Sequence, residues 1–155
     1  MLTPHAKKWI WRLVWLVVFI NVSVFCSYYM NVLRSRFPNM DLSRTRFGIA
    51  SWYSEKDKFI NKHTANNEIF DDDAETCASW DFPFHEKLLV INALNGRWIV
   101  CRVNDRGPAK RLNRVIDLTR ATFRKISHAK KGLIPVTVIP INKPTFPAPG
   151  VRKRS

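Results

Sequence analysis

The apolar positions of this 155-residue chain fall into one long block and several short ones with a period of two. Leu13 to Met30 (LVWLVVFINVSVFCSYYM) is uncharged and mostly apolar, and it follows Lys7, Lys8 and Arg12. A basic flank before such a run marks a secretory signal or a signal anchor, and it places the remainder outside the cytoplasm. No small-x-small cleavage site stands out, so an uncleaved anchor fits the pattern. Residues 31–46, with Arg34, Arg36, Arg44, Arg46 and Pro38, read as a polar membrane-proximal linker whose cations suit anionic headgroups or plain solvent.

Beyond the linker the period becomes two. Phe47–Tyr53 reads as a strand with Gly48 at its start. In Trp98–Val103, Ile99, Cys101 and Val103 face one way while Trp98, Val100 and Arg102 face the other, the mark of a half-buried strand. Lys87–Asn92 is an apolar run of strand length, and Asn95-Gly96 is a strong hairpin signal that delivers it into Trp98. Leu133–Ile141 forms a last strand behind Gly132. Helical expectations are few: one turn over Asp73–Ala78 capped by Asp73, and a helix from Leu118 to about Ile126 with Asp117 as its N-cap. Short strands with one or two short helices imply an all-β domain closed into a small barrel. The expected division is 1–30 as signal or anchor, 31–46 as linker, 47–141 as barrel, and 142–155 as a disordered, basic, Pro-rich tail.

Charge narrows the partners. A formal net charge of +14 favours acidic ones. The charge is polarised, however: residues 47–86 are acidic overall, whereas 87–131 carry Asp105 and Asp117 as their only carboxylates. Such a barrel presents a polarised groove, and with no nucleic-acid-binding motif in the chain, nucleic acid is not an expected partner. The cysteines are Cys26, Cys77 and Cys101, an odd count without a C-x-x-C pair, which excludes a zinc framework. Cys77 and Cys101 either pair in an oxidising compartment or lie as two separate buried thiols. Cys26 is a candidate lipidation site, with bulky Phe25 where a small residue is the rule.

Candidate chemistry gathers where the Trp98 strand runs into Asn104-Asp105-Arg106-Gly107-Pro108. Gly and Pro end the strand there and force a turn. On local grounds Asp105 is either an ion-pairing or turn-capping residue or a catalytic carboxylate.

Five blocks in order settle which family to compare: Gly48-Ile49-Ala50-Ser51-Trp52-Tyr53, Thr64-Ala65-Asn66-Asn67-Glu68-Ile69-Phe70-Asp71, Asn95-Gly96-Arg97, Arg102-Val103-Asn104-Asp105-Arg106-Gly107-Pro108 and Val115-Ile116-Asp117-Leu118. From Phe47 to Ile141 the chain resembles the rare lipoprotein A (RlpA) family of endolytic peptidoglycan transglycosylases. The resemblance implies a six-stranded double-psi β-barrel, preceded here by the N-terminal hydrophobic helix. It also implies cleavage of the MurNAc–GlcNAc bond without water. An acid protonates the glycosidic oxygen, a carboxylate then removes the proton of the muramoyl 6-hydroxyl, and a 1,6-anhydro ring closes. That chemistry uses a carboxyl group able to hold a proton near neutral pH and then act as base. It needs no metal and no cofactor.

Matched residue by residue, the family's acidic positions fall on Glu68 and Asp105. Asp105 is the expected acid/base and Glu68 its partner, orienting sugar or acting on Asp105 by proximity, with the reverse assignment open. Asp117 is also acidic in the family, and helix capping accounts for it. Ser79, Asn104, Arg106, Trp52 and Tyr53 are the expected substrate-binding residues, with Trp80 and Trp98 as further stacking candidates. Ser79 stands where the family carries a histidine, and His63 and His85 are the nearby imidazoles. The family's glycine before the glutamate is Asn67, a residue type that tolerates positive φ. The implied partners are peptidoglycan glycan strands, a membrane through the N-terminal segment, and cell-wall or cell-division proteins. The implied place is the periplasmic side of a bacterial envelope, membrane-attached or secreted, in wall remodelling or septal separation. The alternative, motivated by the absent histidine, is an expansin-like barrel that binds glycan without cutting it.

Overall fold

The computed structural model describes residues 4–57 and 60–141. The chain divides after Pro38 into a helical unit and a barrel unit. The expected tail at 142–155 lies outside the described residues.

The helical unit is α1 (Pro4–Arg36). Its Lys7–Arg36 stretch, which contains an 18-residue window of mean hydropathy 1.9, is long and apolar enough to cross a membrane. Trp9, Trp11, Trp15, Phe19 and Phe25 are exposed along it. The helix runs past the expected boundary at Met30. No glycine or proline interrupts the chain between Pro4 and Pro38, and Arg34 and Arg36 fall in the last turn, where cations complement the helix dipole.

The rest of the expected linker belongs to the barrel unit. Asp41 caps a 3₁₀ turn at Leu42–Arg44, its amide donates to Pro140 O at 2.9 Å, and Arg44 grips Glu86 through two hydrogen bonds of 2.8 and 3.0 Å. Six strands follow: β1 (Arg46–Tyr53), β2 (Thr76–Ala78), β3 (Lys87–Asn92), β4 (Trp98–Asp105), β5 (Arg114–Thr119) and β6 (Ile134–Ile141). They close into a barrel in the order β1-β5-β2-β4-β3-β6. The pairs β1/β5 and β2/β4 are parallel and the other four antiparallel. The expected small barrel is therefore present, and the β3–β4 hairpin turns at Gly96 with φ of 69°.

Period-two alternation fills the interior. Leu88 and Val90, Cys101 and Val103, Ile116 and Leu118, and Ile134, Val136 and Val138 point into one core. The helix α2 (Arg120–Ile126) adds Phe123 and Ile126 to it. Gly48 lies against Val115 so closely that a Cβ would collide with that side chain.

Two local expectations fail. Residues 76–78 are not helical but form β2, because this segment fills the slot between β4 and β5 and Cys77 is bonded to Cys101 across a Cα separation of 6.0 Å. Asp117 does not cap a helix. The β1 ladder holds residues 114–119 extended, and the cap of α2 is Thr119, whose side chain accepts the Thr122 amide.

Candidate active site

The site is built from a row of side chains that run across the strands. β5 sets Asp117 beside Ser51 of β1 on one side and beside Ala78 of β2 on the other. β2 in turn sets Ala78 beside Asp105 at the end of β4. Directly paired residues project to the same face of a sheet. Ser51, Asp117, Ala78 and Asp105 therefore form one transverse row, with the small Ala78 between two carboxyl groups.

Asp105 is half-buried, and its Oδ1 accepts the backbone N–H of Ala65 and of Arg106, each at 2.8 Å. Among the described residues nothing hydrogen-bonds its Oδ2, so one oxygen is fixed and the other is available. Asp117 is more enclosed, with its side chain 14% exposed. Its Oδ1 accepts the Ser51 hydroxyl, Arg114 Nη2 lies 3.4 Å from its Oδ2, and a Cβ on Gly107 would stand 3.9 Å from that oxygen. Burial raises the Asp117 pKa above the ordinary carboxylate value and the charge of Asp105 adds to the rise, while Ser51 and Arg114 pull the other way.

Glu68 is a different kind of carboxylate. Arg102 grips it with Nη1 to Oε1 at 2.7 Å and Nη2 to Oε2 at 2.8 Å. Asn66 Nδ2 donates to Oε1 at 2.9 Å and Asn104 Nδ2 to Oε2 at 3.1 Å. The Arg102 fork, helped by the two amides, holds its pKa down at about 2. Glu68 is thus held in its ionised form. It anchors the 64–68 loop to β4: Asn66 N donates to Asn104 O at 3.2 Å, and Ala65 N reaches Asp105 from the same loop. Asn67 adopts the positive φ (71°) expected of it. Glu68 and Arg102 also join the acidic and basic segments of the chain, as do Glu75 and Lys125.

The expected binding residues separate into buried and open ones. Ser79 is fully buried; its hydroxyl donates to Val115 O at 3.3 Å and its amide to Asp105 O at 3.2 Å. Asn104 is buried under Glu68. Arg106 spends Nη1 on the carbonyls of Ser79 (2.7 Å) and Phe82 (2.8 Å), with Phe84 stacked 3.8 Å from its guanidinium. Trp52 is half-buried and donates to Ala129 O at 3.0 Å. Tyr53 is buried against Phe70, with ring centroids 4.9 Å apart. Its hydroxyl has no partner among the described residues, and burial, then the charges of Asp105, Asp117 and Asp72, raise its pKa. Tyr53 therefore offers no open ring face, and the Arg120 guanidinium lies 5.7 Å from the Trp52 ring. His85 is exposed, 3.5 Å from Arg102 Nη1 through its Nδ1, and His63 is exposed in the bridge to Ile69.

The open aromatic is Trp80, 53% exposed against 37% for Trp98. Trp80 borders a cleft of about 390 Å³ with Asp81, Pro108, Lys110, Asn113, Arg114 and Val115. Its indole N–H donates to Pro108 O at 2.8 Å, which fixes the ring. Arg114, which pairs with Asp117, forms part of the same wall. Sequence reasoning underrated Asp117 and did not find Ser51 or Arg102. The strand register brings them to the site, and register is not written in any local segment.

A closed six-stranded barrel with the parallel pairs β1/β5 and β2/β4 defines the double-psi β-barrel class. Residues 38–138 match the family model described as Lytic transglycolase, and the chain belongs to that family. It is 42% identical over 91 residues to a probable endolytic peptidoglycan transglycosylase RlpA of Nostoc sp., covering 59% of this chain and 24% of that protein. It is 40% identical over 107 residues to the endolytic peptidoglycan transglycosylase RlpA of Vibrio cholerae, covering 68% of this chain and 40% of that protein. The chain thus spans less than half the length of these relatives. The solved structure of the Streptomyces papain inhibitor matches with a TM-score of 0.50 at 22% identity, over 63% of this chain and 94% of that one, and shares the fold.

Proposed function

We propose that this chain cleaves peptidoglycan glycan strands between MurNAc and GlcNAc without water, leaving 1,6-anhydro-MurNAc ends. The observation that carries the proposal is that, among the described residues, no hydrogen bond occupies Oδ2 of Asp105, whereas both oxygens of Glu68 and of Asp117 are engaged. Hydrolysis needs a second carboxylate as nucleophile or water activator. Here Glu68 is clamped by Arg102 and Asp117 is covered by Ser51 and Arg114. One acid/base suffices for the anhydro route. Asp105 gives its proton to the glycosidic oxygen and takes one from the 6-hydroxyl, with its carboxylate aimed by the two backbone amides. Trp80 supplies a fixed aromatic face for a pyranose ring, and Lys110 and Arg114 line the cleft beside it.

The relatives' names support the substrate, and α1 supports a place at the membrane on the periplasmic side. Cys26 is unbonded and exposed on that helix, where a lipid would sit. One observation favours binding without cleavage: position 79 is a fully buried serine and contributes no titratable group. The test is to incubate the full chain in detergent with peptide-free glycan strands and to search for anhydro ends by mass spectrometry. Asp105→Asn is expected to lower product by about 10²–10⁴-fold. A native chain that binds the strands and releases nothing would leave the binding reading in its place.

A further inference from the structure

Asp117 has no role in the mechanism above, and the structure removes the helix cap that would have explained it. It is an acidic side chain on the face of β5 opposite Ile116 and Leu118, yet it is largely covered there, a costly position unless it is used or fully compensated. The compensation is partial. Arg114, on its own strand, stands off at 3.4 Å, and the neutral Ser51 hydroxyl from β1 occupies the other oxygen. From β2 the facing residue is the uncharged Ala78; from β4 it is Asp105, a like charge. The Tyr53 phenol, also from β1 and without a hydrogen-bond partner among the described residues, lies in the field of both carboxyl groups. Gly107 closes the row from above: a Cβ there would stand 3.3 Å from Ala78 Cβ and 3.9 Å from Asp117 Oδ2.

We propose that Asp117 is a positioning residue for Asp105: held across Ala78 by Ser51 and sealed under Gly107, its negative charge sets the field in which Asp105 gives and takes its proton. The inference rests on Asp105 being the acid/base. A like charge behind a general acid makes the proton harder to lose and extends the pH range over which it can be donated. The charge also arrives without competing for substrate, because Ser51, Arg114 and Gly107 screen the Asp117 oxygens. Two inter-strand steps of about 4.8 Å separate the two residues.

Coupling between two sites is reciprocal, so it can be read from either end. In full chain carrying ¹³C-labelled aspartate, Asp105→Asn is expected to move the Asp117 carboxyl titration to lower pH. In glycan cleavage, Asp117→Asn is expected to move the alkaline limb of the kcat/KM profile to lower pH. A merely structural Asp117 would lower Tm or yield and leave the limb where it is. An Asp117 titration that does not respond to Asp105→Asn overturns the proposal, and because Asp105 lies at the barrel rim, that variant does not depend on refilling the core. A limb unmoved in folded Asp117→Asn overturns it as well. A titration that does shift, in a native chain that releases no anhydro product, supports the pairing and overturns the transglycosylase reading instead.

Discussion

Glu68→Gln separates the anchor from the acid. The substitution keeps the shape of the side chain and removes the charge that Arg102 grips with two hydrogen bonds of 2.7 and 2.8 Å. The fall of the Glu68 pKa from 4.5 to about 2 would correspond to about 3 kcal/mol if it were all realised as stability. The carboxylate is 36% exposed, however, and solvent screening brings the expected loss to about 1 kcal/mol. In a barrel of this size that lowers Tm by roughly 4–8 °C. The pH dependence has a definite sign. Because folding depresses the pKa, the stabilisation is complete above the unfolded value of about 4.5 and disappears as pH falls through about 2. Thermal melts of native chain and Glu68→Gln, followed by circular dichroism from pH 7 down to 2, should start apart and converge. Equal gaps at both ends, or none at pH 7, would refute the clamp. In the glycan assay the variant can lose rate as the 64–68 loop loosens, but the alkaline limb of its profile should stay in place. A displaced limb would make Glu68 the proton carrier and reverse the assignment.

Two further outcomes follow from the packing. The bond between Cys77 and Cys101 closes a loop across 24 residues, so Cys77→Ser with Cys101→Ser should cost about 3 kcal/mol in denaturant unfolding, and an unchanged midpoint would contradict that. Tyr53→Phe removes a buried hydroxyl that has no partner among the described residues. It should leave Tm unchanged or raise it by the equivalent of up to about 1 kcal/mol, whereas a clear loss would mean that the hydroxyl is engaged in the folded chain.

Where the sequence was legible, the signal was local. The bounds of β3 fell at Lys87 and Asn92, the Asn95-Gly96 hairpin and the alternating face of β4 were visible directly, and β6 began one residue after its expected start. Those elements carry their pattern within a few residues and one turn. β2 carries none: Thr76, Cys77 and Ala78 are all buried, so no polar alternation marks a strand, and the preceding acidic run looked like a helix start. Its conformation is imposed by the two strands that flank it. The candidate site divides the same way. Asp105 was visible from its strand end and its Gly-Pro turn. The clamp on Glu68 comes from Arg102, 34 positions away, and Asp117 meets Ser51 over a separation of 66. Docking of the 64–68 loop on β4 created the first contact and parallel pairing of β1 with β5 the second, and no window of sequence contains either. Of the expected aromatic platforms the structure leaves Trp80 the most exposed, because it lies on a loop, whereas Trp52 and Tyr53 sit on β1 and are half-buried and buried.

The bond from Cys77 to Cys101 also has a bearing on when the protein becomes competent. It ties a three-residue strand to β4, one position before Ala78, the residue that spaces the two aspartates. A strand so short has few ladder bonds with which to hold its own register. Newly made chain that still carries thiols lacks the pin that keeps the acid and its neighbour at a fixed spacing. Oxidation therefore does more than add stability: it sets the ruler between the two aspartates.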